Sequence, residues 1–319
     1  MRFCLMLEGQ EGITWPQWLA VAEAAERLGF EGLFSSDHYV SVQGVPERGS
    51  NDAWTILAAL AARTERLRLG ALVSPVTFRH PAVLAKVATT VDHISGGRVE
   101  IGMGAGWWEE EHRTHGFPFP PAPERFEILE EQVEIVHGLL TQERSSFEGP
   151  HYALRDCVFR HRPVQRPHPP IILGGTTAGV RMQRLVARFA DEFNTVGGTP
   201  EEVRARFDRI RSALGELGRD PDTVTTSLMT WFYLGRNEQE VRDRVERSRL
   251  RDPRAGSFEE HLAELSRDCI VGTPEQAIAR LREYEAAGVQ RVALNHELVD
   301  DLDHVELLAR EVMSAFDRG

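Results

Sequence analysis

The chain has 319 residues, 41% hydrophobic and 27% charged, with a net charge of −12 from 37 basic and 49 acidic residues. That is globular composition, and the acidic excess argues against the concentrated cationic face that nucleic-acid binding needs. No run approaches the roughly 18 apolar residues of a membrane span. The N-terminus turns acidic at Glu8, too soon for a secretory signal. Cys4, Cys157 and Cys269 are odd in number and suggest no disulfide framework. A cytoplasmic protein with reduced thiols is expected, with no membrane or nucleic-acid partner.

In chain order, one small unit recurs: an amphipathic helix, a turn often carrying glycine, then a short apolar strand. Strand Arg2–Leu7 opens the chain, and helix Trp15–Leu28 closes at Gly29 before strand Gly32–Ser35. Helix 52–63 precedes strand 67–73, and helix 81–94 ends at Gly96-Gly97 before strand Val99–Gly104. Strand Ile171–Gly174, helix 179–189, strand Glu192–Val196, strand Thr225–Leu234, helix 274–287 and strand Arg291–Asn295 follow. Glycine at these helix ends takes the left-handed conformation at little cost. The strands are apolar throughout rather than alternating, as parallel strands covered on both faces are. Eight such strands with helices between them predict a closed (β/α)8 TIM barrel, one domain over 1–319. An open doubly wound sheet is the alternative, weakened because no GxGxxG follows the first strand.

Two segments exceed a minimal barrel. Residues 107–169 follow strand four and contain helix 124–140, and the charged stretch 235–272 follows strand seven and predicts helical insertions. Both leave strand C-termini, where barrel sites assemble, so they should wall a pocket. The run 161–168, with two His and two Arg among prolines, reads as a solvated loop. The stretch 242–254 reads as an exposed helix face.

The strand ends carry the candidate chemistry. Asp37-His38 can exchange a proton near neutrality and bind a polar cofactor edge, or can simply cap the strand as a buried pair. Gly174-Gly175-Thr176-Thr177 sits between a strand and a helix, where backbone N–H groups and the helix N-terminus suit an anion. Gly197-Gly198 repeats the pattern on the next strand; either pair can also be only a tight turn. Gly102-Met103-Gly104-Ala105-Gly106 allows a flat ring to approach closely, or marks tight packing of the rim. Glu109-Glu110-Glu111-His112 matches no metal motif, and its acids read as complements to a helix dipole, so no metal is expected. No GxSxG motif is present, which disfavours triad hydrolysis.

Several of these segments resemble one family. They are 34–38 (Phe-Ser-Ser-Asp-His), 69–81, 95–107 and 170–175, with the helix start at 271–275. Their order and spacing are similar to the bacterial luciferase-like flavin and deazaflavin oxidoreductases, in the manner of the coenzyme F420-dependent branch. The resemblance implies a barrel holding its ring cofactor at the strand C-termini. It makes Asp37 a deazaflavin contact and His38 the active-site proton donor. It places a non-proline cis peptide at Leu72-Val73 behind the ring, with Ser74 and Pro75 nearby. Ala105 and Gly106 match backbone contacts, Glu110 falls where relatives often have Asn, and Gly174, Gly175, Thr176 and Thr177 match the phosphate-bearing tail. Arg181 and Arg184 are the candidates to offset the tail's charge. FMN is the alternative cofactor, in an FMNH2-dependent monooxygenase. A carrier that binds deazaflavin without turnover is the non-enzymatic reading.

This chain departs from the sugar-phosphate dehydrogenases of that family. Trp107 stands where they carry a carboxylate, and the single lysine, Lys86, falls on a barrel helix instead of gripping a phosphate. Phe78, Trp107, Trp108 and Trp231 imply an apolar or aromatic substrate, or else core packing. Relatives are often homodimers, which admits a homodimer here.

Overall fold

The computed structural model describes residues 1–316; the last three residues of the expected domain lie outside the described residues. Its elements are β1 (Arg2–Leu7), α1 (Trp15–Leu28), β2 (Gly32–Ser35), α2 (Ala53–Ala61), β3 (Arg68–Pro75), α3 (Pro81–Ser95), β4 (Val99–Gly104), α4 (Glu109–His115) and α5 (Ala122–Thr141). Next come β5 (Ser145–Glu148), β6 (Ala153–Cys157), β7 (Ile171–Gly174), α6 (Val180–Phe189), β8 (Glu192–Val196), α7 (Pro200–Glu216) and β9 (Thr225–Leu234). Then follow α8 (Glu238–Arg251), α9 (Phe258–Asp268), β10 (Ile270–Gly272), α10 (Pro274–Ala286), β11 (Arg291–Asn295) and α11 (Leu302–Leu307), which continues as a π turn (Leu308–Val312) and a 3-10 turn (Met313–Phe316).

The parallel sheet runs β11-β1-β2-β3-β4-β7-β8, and β9 pairs with both β8 and β11, closing a barrel of eight strands. Local sequence sets the helix boundaries. Asp52 caps α2 by accepting from the Thr55 N–H at 2.8 Å, and Thr199 with Glu202 forms a reciprocal capping box on α7. Gly29 and Gly96 end α1 and α3 at φ 83° and 67°. The main core fills the space between barrel and helices, around Trp18, Leu57, Val136, Phe193 and Leu281. A second apolar cluster, Cys4, Met6, Phe34, Leu72, Ile172, Met229 and Ala293, fills the barrel lumen.

Three strands lie outside the barrel count. β5 and β6 form an antiparallel hairpin inside the first insertion, and β10 adds to the far end of β9, pairing Ile270 with Phe232. The second insertion is therefore two helices and a strand, not helices alone. β3 runs 68–75 and not 67–73, because Ser74 and Pro75 resume pairing with β4 after a register shift at Leu72-Val73.

Two surface expectations hold only in part. The 161–168 stretch is a packed strap: Gln165 bonds Asp92 at 2.8 Å and the Val99 carbonyl at 2.7 Å, and Arg162 reaches the carbonyls of Leu139, Thr141 and Gln142. These groups satisfy backbone at an element end that would otherwise be buried unpaired. In α8, Arg244 is 6% exposed, because Asp301 and Asp303, both at 3.0 Å, and the Leu234 carbonyl draw it inward.

The lower end of the lumen is closed by ions. The Arg291 guanidinium lies 2.7 Å from Glu100, 2.9 Å from Glu192 and 3.0 Å from Glu31, over the Phe34 ring. Arg68 pairs with the same Glu100. Among the described residues, no helix is long and apolar enough to cross a membrane, and no cluster of His, Cys, Asp or Glu could hold a metal.

Candidate active site

A cavity of about 940 Å³ opens at the C-terminal ends of the barrel strands. Of the residues expected at a site, it is lined by His38, Leu72, Val73, Pro75, Ala105, Gly106, Gly174, Gly175, Thr176 and Thr177. Trp107, Trp108 and Trp231 also stand on its walls.

Four expected residues do not line it. Asp37 is 3% exposed behind the end of β2, where it accepts from Ser74 Oγ at 2.8 Å and from Arg79. Burial pushes its carboxyl up more than Arg79 and Ser74 pull it down. Ser74 is 2% exposed and accepts from the Trp54 indole at 2.9 Å, so this pair forms a frame behind the wall. Phe78 packs instead among Tyr39, His112 and Phe117, with ring centroids 4.9–5.0 Å apart. Glu110 points outward to Arg113 at 2.6 Å. On a helix, consecutive residues face about 100° apart, and it is the next residue, Glu111, that turns inward.

Glu111 is the buried partner of His38 that the sequence did not single out. It is fully buried, and its carboxylate takes His38 Nδ1 at 2.8 Å and the Tyr39 backbone N–H at 3.0 Å. This fixes the His38 ring and assigns the proton on Nδ1, leaving Nε2 as the free ring nitrogen. Burial alone would lower the imidazole, but the Glu111 hydrogen bond and charge, with Glu8 and Asp37, hold it above its ordinary range. His112, also fully buried, ties the next segment: Nδ1 lies 2.7 Å from the Trp108 carbonyl and Nε2 2.6 Å from Thr77 Oγ1. That positions Trp107, whose ring stands edge-on to His38 at 5.7 Å. The only clue in the sequence was an acid and a histidine deep in a first helical turn.

The floor beside His38 is backbone and small side chains. The Leu72-Val73 peptide is cis. A Cβ on Gly104 would stand 2.6 Å from Val73 Cγ2, so bulk there would displace the wall. Gly106 has φ +77°, a conformation L residues rarely adopt. At the other end, exposed Thr176 and Thr177 precede α6, whose first turn carries no acid. The Gly197-Gly198 turn does not join this end: Gly197 faces a different cavity, and the Gly198 carbonyl accepts from Tyr284. Arg181 lines the cavity, but its guanidinium is held by Glu130 at 2.6 Å, while Arg184 is exposed outside it. A flat ring on a slender, anionic side chain fits these surfaces: apolar wall, glycine floor, helix start. The buried Trp108 indole N–H, which finds no acceptor in the protein, is one donor left for such a ligand.

Two further residues share the wall with His38. Asn194 donates to Ser227 at 2.8 Å. Glu8, just past β1, is pushed up to about 7, by burial first and then by the charges of Glu11 and Glu297.

The profile of the family described as luciferase-like monooxygenase matches residues 1–291. An F420-dependent glucose-6-phosphate dehydrogenase of Microbacterium testaceum is 30% identical over 315 residues, 91% of this chain and 90% of that protein. An FMNH2-dependent dimethylsulfone monooxygenase of Pseudomonas putida is 34% identical over 192 residues, 60% of this chain and 52% of the relative. Among solved structures, the monooxygenase RslO1 of Streptomyces bottropensis superposes with a TM-score of 0.85 at 26% identity, covering 99% of this chain and 100% of that one.

Proposed function

This chain belongs to the luciferase-like monooxygenase family, and on that premise we propose that it is a coenzyme F420-dependent oxidoreductase. It exchanges a hydride between C5 of the deazaflavin and a small apolar or aromatic substrate. One observation carries the reading: an imidazole locked by a buried carboxylate, with its second nitrogen free beside an apolar, glycine-floored cavity. A relative matched almost end to end is named as F420-dependent, which favours this cofactor.

When bound, the deazaflavin supplies the hydride chemistry. The protein's part is orientation, exclusion of water and proton handling. Leu72, Val73, Pro75, Ala105 and Gly106 hold the ring face; Gly174, Gly175, Thr176 and Thr177 receive the phosphate. His38 gives or takes the accompanying proton at Nε2. Asp37 and Ser74 hold the strand end from behind. Trp107, Trp108 and Trp231 flank an apolar substrate. A sugar phosphate is a poor candidate, because Lys86 is turned away to the Phe159 ring and the Arg160 carbonyl.

Titrating the apo-protein with oxidised F420 and with FMN tests the assignment. Saturable F420 binding with no comparable FMN binding is the expected result. FMN binding without F420 binding reverses it in favour of a flavin monooxygenase, the second reading that the Pseudomonas relative supports.

A further inference from the structure

The cavity does not end at its aromatic mouth. A second one, of about 630 Å³, opens beside it under the insertion that follows β9, and Glu8, Val42, Trp231 and Arg254 line both. The two differ in chemistry. Around His38 the wall is apolar (Met6, Leu72, Met229), and Glu8 is the one carboxyl among the described lining residues. The second cavity adds Asp252, Glu264, Asp268 and Glu297, against Arg254 and Arg267. Those two guanidiniums are engaged by their sequence neighbours, Arg254 by Asp252 at 3.0 Å and Arg267 by Asp268 at 3.4 Å. Negative charge is therefore in excess at the junction.

The arrangement is built rather than incidental. Glu297 is fixed by neutral donors, Tyr233 Oη at 2.6 Å, Ser248 Oγ at 2.8 Å and Gln43 Nε2 at 3.1 Å, with Arg251 at 3.7 Å. Asn295, 1% exposed, sits within hydrogen-bonding reach of the Glu8 carboxyl and holds it in place. Trp231, shared by both cavities, offers an aromatic ring of the kind that attracts cations.

We propose that this junction recognises an organic cation: the substrate carries an amine, whose nitrogen sits beside Glu8, Glu297 and Trp231 while its apolar body lies in the main cavity. The proposal rests on the oxidoreductase reading for the claim that the amine is a substrate. It goes beyond that reading by naming the substrate's chemical class. A cation there offsets carboxylates that otherwise repel one another in a poorly solvated space. A phosphate there would meet the same carboxylates and be rejected.

The probe is benzyltrimethylammonium, whose charge cannot titrate, set against its neutral carbon isostere, neopentylbenzene. Calorimetry on the whole chain should show the cation binding at least about tenfold more tightly than the isostere, with Glu8→Gln erasing that preference. Equal affinities, or a preference untouched by Glu8→Gln, overturn the proposal. Wild-type affinity for the cation should also rise from about pH 6 to about pH 8 as Glu8 ionises. The groups that face Glu8 are Glu11, Glu297 and His38, with Arg254 on the wall both cavities share and His261 further along the second. Because His38 loses positive charge over the same range, the rise must persist in His38→Ala. A flat profile in that variant overturns the proposal even if Glu8→Gln does not fold. Cofactor binding is read separately by absorbance. Cation preference with neither cofactor bound overturns the oxidoreductase reading and leaves the cation site; cofactor bound without cation preference overturns the cation site alone.

Discussion

The two ends of the barrel lumen handle buried charge in opposite ways. At the lower end, Arg291 meets Glu31, Glu100 and Glu192 within 3.0 Å and takes the Cys4 sulfur at 3.1 Å. Every charge there has a partner inside the protein. At the upper end, His38 keeps one nitrogen free, Glu8 sits among like charges, and the Trp108 indole N–H lacks an acceptor. A buried polar group without a partner costs stability. The lower end is a closed ion cluster, and the upper end is where the proposed site lies.

Four experiments sharpen or break this contrast. The largest effect is expected for His38→Ala. It should leave cofactor binding largely intact and cut turnover by about 10²–10⁴-fold, the usual worth of general acid–base help. Unchanged turnover on a confirmed substrate would remove His38 from the chemistry.

Arg291→Met should act in the opposite sense, on stability alone. Stranding Glu100 and Glu192 costs about 3–5 kcal/mol, read as a lower denaturation midpoint with kcat of the folded fraction unchanged. A fully stable variant would mean that the lower cluster is not held by its arginine.

Acid provides the third test. His296 and His304 are buried beside the Phe232 ring, away from the cavity; burial pushes His296 down to about 4 and His304 well below the ordinary imidazole range. The unfolded chain takes up these protons near 6.5, whereas the folded chain resists. Stability is thus complete above about pH 6.5 and lost as pH falls toward 4, by roughly 3 kcal/mol for His296. His296→Phe should flatten that slope in urea titrations at several pH values.

Glu111→Gln should give the smallest effect. Removing a group that orients another usually costs about 10–100-fold, here in kcat more than in KM. The apparent pKa assigned to His38 should move down, since Glu111 holds it up. A purely structural Glu111 would lower stability without moving that pKa.

The family-bearing segments were legible because they are contiguous. Phe34 to His38 and Gly102 to Gly106 are short runs whose backbone conformation and chemistry are local. Glu110 and Glu111 show the limit. The sequence presents three acids in a row, and only the angle at which α4 meets the barrel decides which one reaches His38. Arg244 and the 161–168 strap show it again: both look solvent-facing in one dimension, and distant partners draw them inward, Asp301 for Arg244 and Asp92 for Gln165.

The sequence alone determined the strand–helix alternation, the helix caps and the positions of glycine, because these follow from a few neighbouring residues and a fixed backbone period. The tertiary structure alone decided that Glu111 clamps His38, that Asp37 and Ser74 stand behind the wall, and that Glu8 and Glu297 share a junction between two cavities. Those outcomes depend on burial and on charges brought together from distant segments. Neither quantity exists until the barrel has closed.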